Sequence, residues 1–432
     1  MPFDNKDNEH KILVDIDNLT TGMYIDLGLS WYKHPFIFSR FKISQQKDLK
    51  VIQGLGLKKV TLFPDRCDAS IALHLPATKA SDQNLASSNA AEEDPILEAL
   101  RQQKRVQQKK EAILREKCKK ITQQYHKQSN KIRKITYGMK FQPANEIHNI
   151  DDLVDEMTAV FDSGDDLATN LVNLCSGLHD DYNHITNVTM LSLMLGSAIG
   201  LSGEQLKRLG TGALLHDIGK VEVPTSIKVK TTTLTKPEQK IMQRHTVSGR
   251  QLIMRVRNMD KRILDVIDKH HEFLDGSGYP KGLTGEALSM LVRIVTIANL
   301  YDNLCNPADI KAATTPKSAL AIIYLHYQDK LDRDLIKSLI SLLGVYPPGT
   351  VIKLNDDSIG LVICSNPKDS LHPVILIYDP ETPKEEAIIV DLTENLDIQI
   401  LEELKPGQYP SNIHNYLSIQ ERISVIMDKT EF

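Results

Sequence analysis

The sequence predicts a mainly α-helical protein with a small α/β domain near its N-terminus and a small β extension near its C-terminus. Three observations predict this fold class. Apolar residues recur at helical spacing through the middle of the chain, short apolar stretches alternate with turns over residues 10–68, and apolar and polar residues alternate from residue 345 onward. With 432 residues, the chain is long enough for two or three domains.

We expect the chain to divide into five segments. Residues 1–76 are expected to form the small α/β domain. Residues 77–95 are rich in Ala, Ser, Asn and acidic side chains, which bury too little apolar surface to fold, so they are expected to form a disordered linker. The remaining segments are a long basic helix over 96–140, a helical domain over 145–345 and a β-rich extension over 346–432.

The predicted long helix is strongly basic. Residues 101–135 contain 13 Lys or Arg against two Glu, a balance that suggests nucleic acid or a membrane surface as the partner. Apolar residues nevertheless repeat in this segment with heptad spacing, with Gln128 filling one gap: Leu114, Cys118, Ile121, Tyr125, Ile132 and Ile135. This repeat favours a helix that pairs with a second copy of the chain or docks on the helical domain, rather than an arm that binds nucleic acid.

From the composition and the first residues we expect a cytoplasmic protein. Apolar residues make up 41% of the chain and charged residues 25%, which is typical of soluble globular proteins. The five Cys are scattered without a CxxC pair, which fits free thiols in a reducing compartment. The first residues lack the features of a secretory signal, and the most apolar run, Val188 to Leu201, is too short to cross a bilayer, so no membrane insertion is expected.

Residues 211–280 contain a candidate metal site. Six of the 14 His fall between His179 and His271. Two pairs of polar residues each end an apolar helical segment, and one further His lies between the pairs: His216 with Asp217, His270 with His271, and His245. Burying so many titratable groups without a ligand would be costly, so metal binding explains this cluster better than a set of core histidines. His and carboxylate ligands without Cys favour iron or manganese over structural zinc.

These residues carry a resemblance to a known family. HDIGK at 216–220, the lone His245 and HHEFLDGSGYP at 270–280 resemble the HD-GYP family of cyclic di-GMP phosphodiesterases. Upstream, HITNVTMLSLMLGSAIGL resembles the helix that carries the first metal ligand of that family, which places the ligand at His184. Near the N-terminus, LTTGMYIDLGLSWYKHPFIFSRFKI resembles an uncharacterised domain that commonly precedes HD-GYP domains.

The resemblance implies a helical HD-type catalytic domain with five-helix architecture and two or three divalent metal ions, iron or manganese. The ligands that it implies are His184, His216, Asp217, His245, His270 and His271, with Asn299 and Asp180 at two further positions. Asp217 and Lys220 are the implied catalytic residues, with Lys220 holding the substrate phosphate. Further substrate contacts are implied for the loop residues Gly276, Gly278, Tyr279 and Pro280 and for Lys311.

Two departures from the family pattern leave alternatives open. Asn299 stands where the family usually has an aspartate ligand, and Lys311 is what remains of a segment that usually bears an arginine. We expect hydrolysis of cyclic di-GMP to linear pGpG, and the sequence leaves open whether pGpG or GMP is the end product. The alternatives are a degenerate domain that acts as a cyclic di-GMP receptor or scaffold, and an HD-type hydrolase of another nucleotide. The expected partners are cyclic di-GMP, a second copy through the 101–135 helix and signalling proteins, but not nucleic acid.

Overall fold

The structure is a computed structural model that describes residues 10–29, 34–36, 39–68, 95–162, 181–230, 232–307, 312–366, 369–380, 382–384, 387–405 and 408–417. It confirms a mainly helical fold with a small antiparallel sheet toward each end of the chain. The chain divides into two compact units, Met1–Arg115 with Asp379–Ile388 and Glu116–Tyr378 with Ile389–Phe432. The five predicted segments remain predictions, and the expected linker, apart from Pro95, lies outside the described residues.

A four-stranded antiparallel sheet, one α-helix and two short 3-10 helices (Ile16–Asn18 and Pro64–Arg66) make up the described fold of the first unit before residue 69. The strands are β1 (Ile12–Asp15), β2 (Tyr24–Asp26), β3 (Arg40–Lys42) and β4 (Lys59–Leu62), and they lie in the order β1-β4-β2-β3. Helix α1 (Gln46–Gly54) starts with a capping box in which Asp48 accepts a hydrogen bond from the backbone of Gln45. Buried aliphatic side chains, Ile25, Ile52 and Leu62 among them, form a separate core.

The second unit is built mainly from helices. In chain order the helices are α2 (Pro95–Phe141, which also contributes to the first unit), α3 (Pro143–Asp162), α4 (Asp181–Ala198), α5 (Glu204–Leu215), α6 (Thr225–Lys228), α7 (Lys236–Gln243), α8 (His245–Ile253), α9 (Lys261–Lys269), α10 (Met290–Cys305), α11 (Pro316–His326), α12 (Arg333–Leu343) and α13 (Ser411–Leu417). A short 3-10 helix, Ile218–Glu222, follows α5. None of the helices in the described ranges combines the length and apolar character needed to cross a membrane.

Helix α2 docks into the core of the second unit. Ile132, Ile135 and Met139 are buried against α3 and α4, and Tyr125 is buried one heptad earlier. The docking predicted from the heptad repeat is therefore confirmed for this part of α2. Pairing with a second copy through the 101–135 helix, the other possibility that the repeat left open, stays a prediction.

Helix α4 lies at the centre of the helical core. All 13 residues from His184 to Gly196 are buried, and α4 packs against α3, α5, α10 and α12. The sequence predicts one inward stripe on this helix, of Val188, Leu191, Leu195 and Ile199. Val188, Leu191 and Leu195 are buried as this stripe predicts, and the residues between them are buried too because neighbouring helices cover the other sides of α4. The inward position of His184 is nevertheless observed.

The C-terminal sheet has five strands in the order β8-β7-β6-β5-β9. Its strands are β5 (Val351–Leu354), β6 (Ile359–Cys364), β7 (Val374–Ile377), β8 (Ile388–Asp391) and β9 (Ile400–Leu404). The β5–β6, β5–β9 and β6–β7 pairs are antiparallel. Glu403 on β9 accepts hydrogen bonds from the hydroxyl groups of Thr315 and Ser318 at the start of α11, so this sheet is joined to the helical core.

Ile132→Ala tests the docking of α2. Ile132 is fully buried, so truncation should leave a cavity and lower the free energy of unfolding by about 2–5 kcal/mol. Ile113→Ala is the matched control, because Ile113 is on the same helix but 59% exposed, and it should change the free energy of unfolding by less than about 0.5 kcal/mol. Urea unfolding followed by circular dichroism measures both variants. Equal effects of the two substitutions would contradict the docking.

Candidate metal centre

The predicted ligands of the candidate metal centre lie at helix ends. His216 directly follows α5, and Asp217 directly precedes the 3-10 helix. His245 is the first residue of α8, and His270 directly follows α9. Because α5 packs on α4 and α9, and α8 packs on α9 and on the 3-10 helix, the side chains at their ends converge, and all four are buried.

Three of the histidines are oriented by the backbone in the same way. His216, His245 and His270 each place Nδ1 near the carbonyl oxygen three residues earlier, at 2.6 Å from Ala213, 2.7 Å from Met242 and 3.1 Å from Ile267. A carbonyl oxygen can only accept, so Nδ1 carries the proton and donates it. These carbonyl groups belong to last helical turns, which have unpaired acceptors. Each Nε2 is thereby left with a lone pair.

The Nε2 atoms face the carboxylate of Asp217. Oδ1 lies 3.2 Å from Nε2 of His245 and 3.8 Å from Nε2 of His270. Oδ2 lies 3.3 Å from Nε2 of His216 and 3.4 Å from Nε2 of His184. The Nε2 atoms also approach one another in pairs, at 3.3 Å for His245 and His270 and 3.4 Å for His184 and His216. Asp217 therefore stands between two pairs of imidazole rings.

On the Oδ1 side of Asp217, lone pairs of the carboxylate oxygen and of the imidazole nitrogens face one another with no proton between them. Asp217 Oδ1 is buried and accepts no hydrogen bond from a protein group. Burial lowers the pKa of His245, and it lowers the pKa of His270 and His271 well below the usual value, so these rings are neutral near pH 7. Neutral imidazole nitrogens that face a buried carboxylate oxygen fit a shared cation.

His184 differs from the other histidines because a carboxylate orients it. Its Nδ1 lies 2.6 Å from Oδ2 of Asp302 on α10. Burial opposes the charged ring, but hydrogen bonds to Asp217 and Asp302 outweigh it and raise the pKa of His184 to about 9. A carboxylate that holds the second ring nitrogen is a common partner of a metal-binding histidine, since it fixes the ring and makes it more basic.

Lys220 pairs with the central carboxylate. Its Nζ lies 2.6 Å from Oδ2 of Asp217, and its side chain is one quarter exposed. Burial disfavours the charged ammonium, but the negative charge of Asp217 outweighs this and raises the pKa of Lys220. For Asp217, burial disfavours the charged carboxylate, but the positive charge of Lys220 outweighs this, so the pKa of Asp217 is well below the usual value. Lys220 is therefore a cation at the edge of the site.

The GSGYP loop is fixed against His271. The ring of Tyr279 stacks on the ring of His271, with centroids 4.5 Å apart and planes 17° apart. A Cβ on Gly278 would collide with the carbonyl oxygen of His271, so only glycine permits this approach. The buried carboxylate of Glu272 accepts hydrogen bonds from the backbone nitrogens of Lys281 and Leu283, at 2.7 and 3.0 Å, and closes the loop.

Close packing also fixes the HDIGK turn. A Cβ on Gly219 would overlap the backbone carbonyl of His245 and approach the backbone nitrogen of Gly249 at 2.5 Å. Glycine at 219 therefore lets the turn after Asp217 lie directly on α8. This contact fixes the position of Asp217 relative to His245.

The other predicted site residues divide into two sets. Asn299 is buried on α10, where its Oδ1 accepts a hydrogen bond from Asn303 at 2.8 Å. Asp180 and Lys311 lie outside the described residues. Sequence reasoning missed the part played by Asp302, which lies one turn after Asn299 on α10. Its spacing from His184 in the sequence gave no signal, since the two residues meet only through the packing of α4 on α10.

Two groups of side chains have the geometry to hold an ion. Asp217, His245, His270 and His271 offer ligand atoms that all lie within 4.8 Å of one another, and so do His184, His216 and Asp217. Asp217 belongs to both groups. Nitrogen and carboxylate donors without thiolate fit a divalent metal ion. The residues therefore fit a centre of two ions that share one carboxylate.

Two family models match the chain. A model described as "HD domain" matches residues 165–335, and a "Domain of unknown function (DUF3391)" matches residues 11–150. The chain therefore carries a DUF3391 domain followed by an HD domain. This confirms the resemblance that the motifs at 216–280 indicated.

Curated relatives match the chain over different lengths. Cyclic di-GMP phosphodiesterase PA4108 of Pseudomonas aeruginosa is 27% identical over 372 residues, which are 84% of this chain and 84% of that protein. The cyclic di-GMP phosphodiesterase response regulator RpfG of Xanthomonas campestris is 35% identical over 148 residues, or 34% of this chain and 39% of RpfG. The 3'3'-cGAMP-specific phosphodiesterase 3 of Vibrio cholerae is 30% identical over 164 residues, or 38% and 35%. The chain thus spans most of PA4108 but less than half of the other two proteins.

Metal uptake should displace a proton from His184. In the metal-free protein this ring keeps its second proton until about pH 9, and an ion needs the Nε2 lone pair. Binding of Mn²⁺ at pH 7 should therefore release about one proton, and affinity should rise with pH until about 9. Titration calorimetry in two buffers of different ionisation enthalpy counts the protons. His184→Gln should bind more weakly and release none, whereas wild-type binding without proton release would contradict the ligand assignment.

Proposed function

We propose that the protein is a metal-dependent phosphodiesterase that hydrolyses cyclic di-GMP to linear pGpG, and pGpG further to GMP. The observation that carries this proposal is the sharing of the Asp217 carboxylate by two groups of histidines. Two ions that share one carboxylate are typical of enzymes that cleave phosphate esters. The HD domain and the relatives named cyclic di-GMP phosphodiesterases support the same reaction and substrate.

We assign the two ions, iron or manganese, to the two groups. One ion would be held by Asp217 with His184 and His216, and the other by Asp217 with His245, His270 and His271. Bound divalent ions at such a centre neutralise phosphate charge and lower the pKa of a water molecule toward neutrality. The proposed ligands are carboxylate and imidazole groups without a thiolate, and such a set favours these metals over structural zinc.

Lys220 and the GSGYP loop are assigned to the substrate. The ammonium of Lys220 pairs with Asp217 in this structure, and one quarter of its side chain is exposed, so it can exchange this partner for a phosphate oxygen. Gly276, Gly278, Tyr279 and Pro280 form a loop that Glu272 and His271 hold beside the centre. We propose that the backbone of this loop contacts the dinucleotide.

Asn299 is proposed as a weak ligand in place of an aspartate. Its carbonyl oxygen accepts one hydrogen bond, from Asn303, and retains a second lone pair. An amide lacks the negative charge of a carboxylate, so Asn299 should hold an ion more weakly than an aspartate at the same position would. The same observation supports the second candidate function, a cyclic di-GMP receptor without turnover. Asp180 as a third-ion ligand and Lys311 as a phosphate contact remain proposals from the family pattern.

The substrate and partner assignments have two alternatives worth testing. Relatives named 3'3'-cGAMP-specific phosphodiesterases make a mixed cyclic dinucleotide the alternative substrate. Pairing of two copies is proposed only for the basic part of α2 before Tyr125, where Val106 and Ile113 are exposed. Signalling proteins remain proposed partners, and we assign the basic face of α2 no role in binding nucleic acid.

Turnover of cyclic di-GMP tests the proposed function. Protein purified and metal-loaded without oxygen should convert cyclic di-GMP to the linear dinucleotide faster than 3'3'-cGAMP, with products separated by chromatography. His216→Ala and Asp217→Ala should abolish conversion, because each removes a ligand of the centre. Both variants should keep the helix content of the wild type.

His148→Ala is the matched control for these variants. His148 lies on α3 with a side chain that is 85% exposed, so its loss should leave the rate unchanged. Wild-type protein that binds cyclic di-GMP without converting it would support the receptor instead. An unchanged rate in His216→Ala would contradict the assignment of the centre.

Lys220→Ala separates the binding of phosphate from the binding of metal. The substitution removes a cation 2.6 Å from Asp217, so bound metal should be retained at least as well as in the wild type. The specificity constant kcat/KM should fall about tenfold to a hundredfold, since one charge-assisted hydrogen bond contributes about 1.5–3 kcal/mol. Metal content is measured by mass spectrometry beside the rate. Loss of metal from this variant would contradict the assigned role of Lys220.

A further inference from the structure

A buried chain of hydrogen bonds runs from the long helix α2 to a ligand of the proposed centre. The hydroxyl of Tyr125 on α2 donates to Oδ1 of Asn187 on α4 at 2.8 Å. Nδ2 of Asn187 donates to Oδ1 of Asp302 on α10 at 2.8 Å. The other oxygen of Asp302 accepts from Nδ1 of His184 at 2.6 Å. Three helices thus meet in one line of polar contacts.

The direction of every link in this chain is determined. A carboxylate only accepts, so the amide nitrogen of Asn187 must face Asp302, and its carbonyl oxygen must face Tyr125. The phenol must therefore donate. Each of the four side chains is at most 7% exposed, so water cannot replace a lost partner at low cost. Asp302 Oδ1 receives one further hydrogen bond, from Asn306 at 2.9 Å.

We propose that Tyr125 and Asn187 are positioning residues for the metal centre, through which the placement of α2 determines how firmly one of its ions is held. They contact neither ion nor substrate. They hold Asp302, and Asp302 holds the ring of His184 with its Nε2 toward Asp217. This inference rests on the proposed centre.

The effect should be confined to one side of the centre. The chain ends at His184, which belongs to the group with His216 and Asp217. His245 and His270 are oriented instead by backbone carbonyls of α7 and α9, which the chain does not touch. Breaking one of these hydrogen bonds should therefore weaken the binding of one ion and leave the binding of the other unchanged. A general loss of packing would loosen both.

Tyr125→Phe tests the proposal with the loss of one oxygen atom. Competition with a chelator should show one of two Mn²⁺ ions held about three- to tenfold more weakly, the effect expected for one buried hydrogen bond, with the second ion unchanged. The kcat for cyclic di-GMP should fall by a similar factor, with KM near the wild-type value, because the substrate contacts are intact.

Ser129→Ala is the matched control. Ser129 lies on α2 one turn beyond Tyr125, is equally buried, and donates to the side chain of Asn183 on α4 at 2.9 Å, outside the chain to Asp302. It should lower thermal stability as much as Tyr125→Phe does but leave both ions and kcat unchanged.

A double-mutant cycle gives the second test. Asn187→Leu keeps the approximate volume of the side chain but removes the link, so it should loosen the same ion. If Tyr125 acts through Asn187, adding Tyr125→Phe to Asn187→Leu should have no further effect on that ion. Additive effects in the cycle would overturn the proposal.

The outcomes distinguish this proposal from the proposed function. If the wild type does not hydrolyse cyclic di-GMP but Tyr125→Phe still loosens one ion, the function is wrong and the positioning role stands. If the wild type is active and Tyr125→Phe matches Ser129→Ala in metal retention and in kcat, the positioning role is overturned. Equal loosening of both ions in Tyr125→Phe would also overturn it.

Discussion

The burial of the Asp217 carboxylate between two pairs of imidazole rings is the constraint on which the rest of the site depends. An ionised carboxylate without water is costly unless opposite charge or donated protons compensate. Lys220 supplies one positive charge at Oδ2, whereas Oδ1 accepts no protein hydrogen bond and faces neutral histidines. Such an arrangement fits bound cations, so the geometry supports the metal binding that the motifs indicate.

The fold meets this constraint with backbone groups at helix ends. His216, His245 and His270 each donate to a carbonyl of a last helical turn, so the termination of a helix also sets the direction of a ligand. Gly219 and Gly278 have no Cβ, so the backbone at these two positions can lie directly against the backbone of His245 and His271. The same packing of helices creates the buried polar chain through Asp302, so the positions of the ligands and the stability of the core are not independent.

Much of the site could be predicted from the sequence because its ligands lie in compact local motifs. His216 with Asp217 and His270 with His271 occupy the ends of apolar segments, and their convergence is observed. What could not be predicted depends on contacts between distant helices. Asp302 follows His184 by 118 residues. The heptad repeat marks Tyr125 only as one more apolar position, whereas in the structure its hydroxyl donates to Asn187. Periodicity indicates which residues are buried, but it does not show which polar atoms meet.

Anomalous diffraction from crystals of the metal-loaded protein can show whether two ions share the Asp217 carboxylate. Data collected at the absorption edge of the loaded metal, iron or manganese, locate each ion without reference to activity. We predict two peaks, one on each side of the Asp217 carboxylate, with His184 and His216 at one peak and His245, His270 and His271 at the other. A single peak that Asp217 does not contact, or two peaks that do not share this carboxylate, would contradict this prediction.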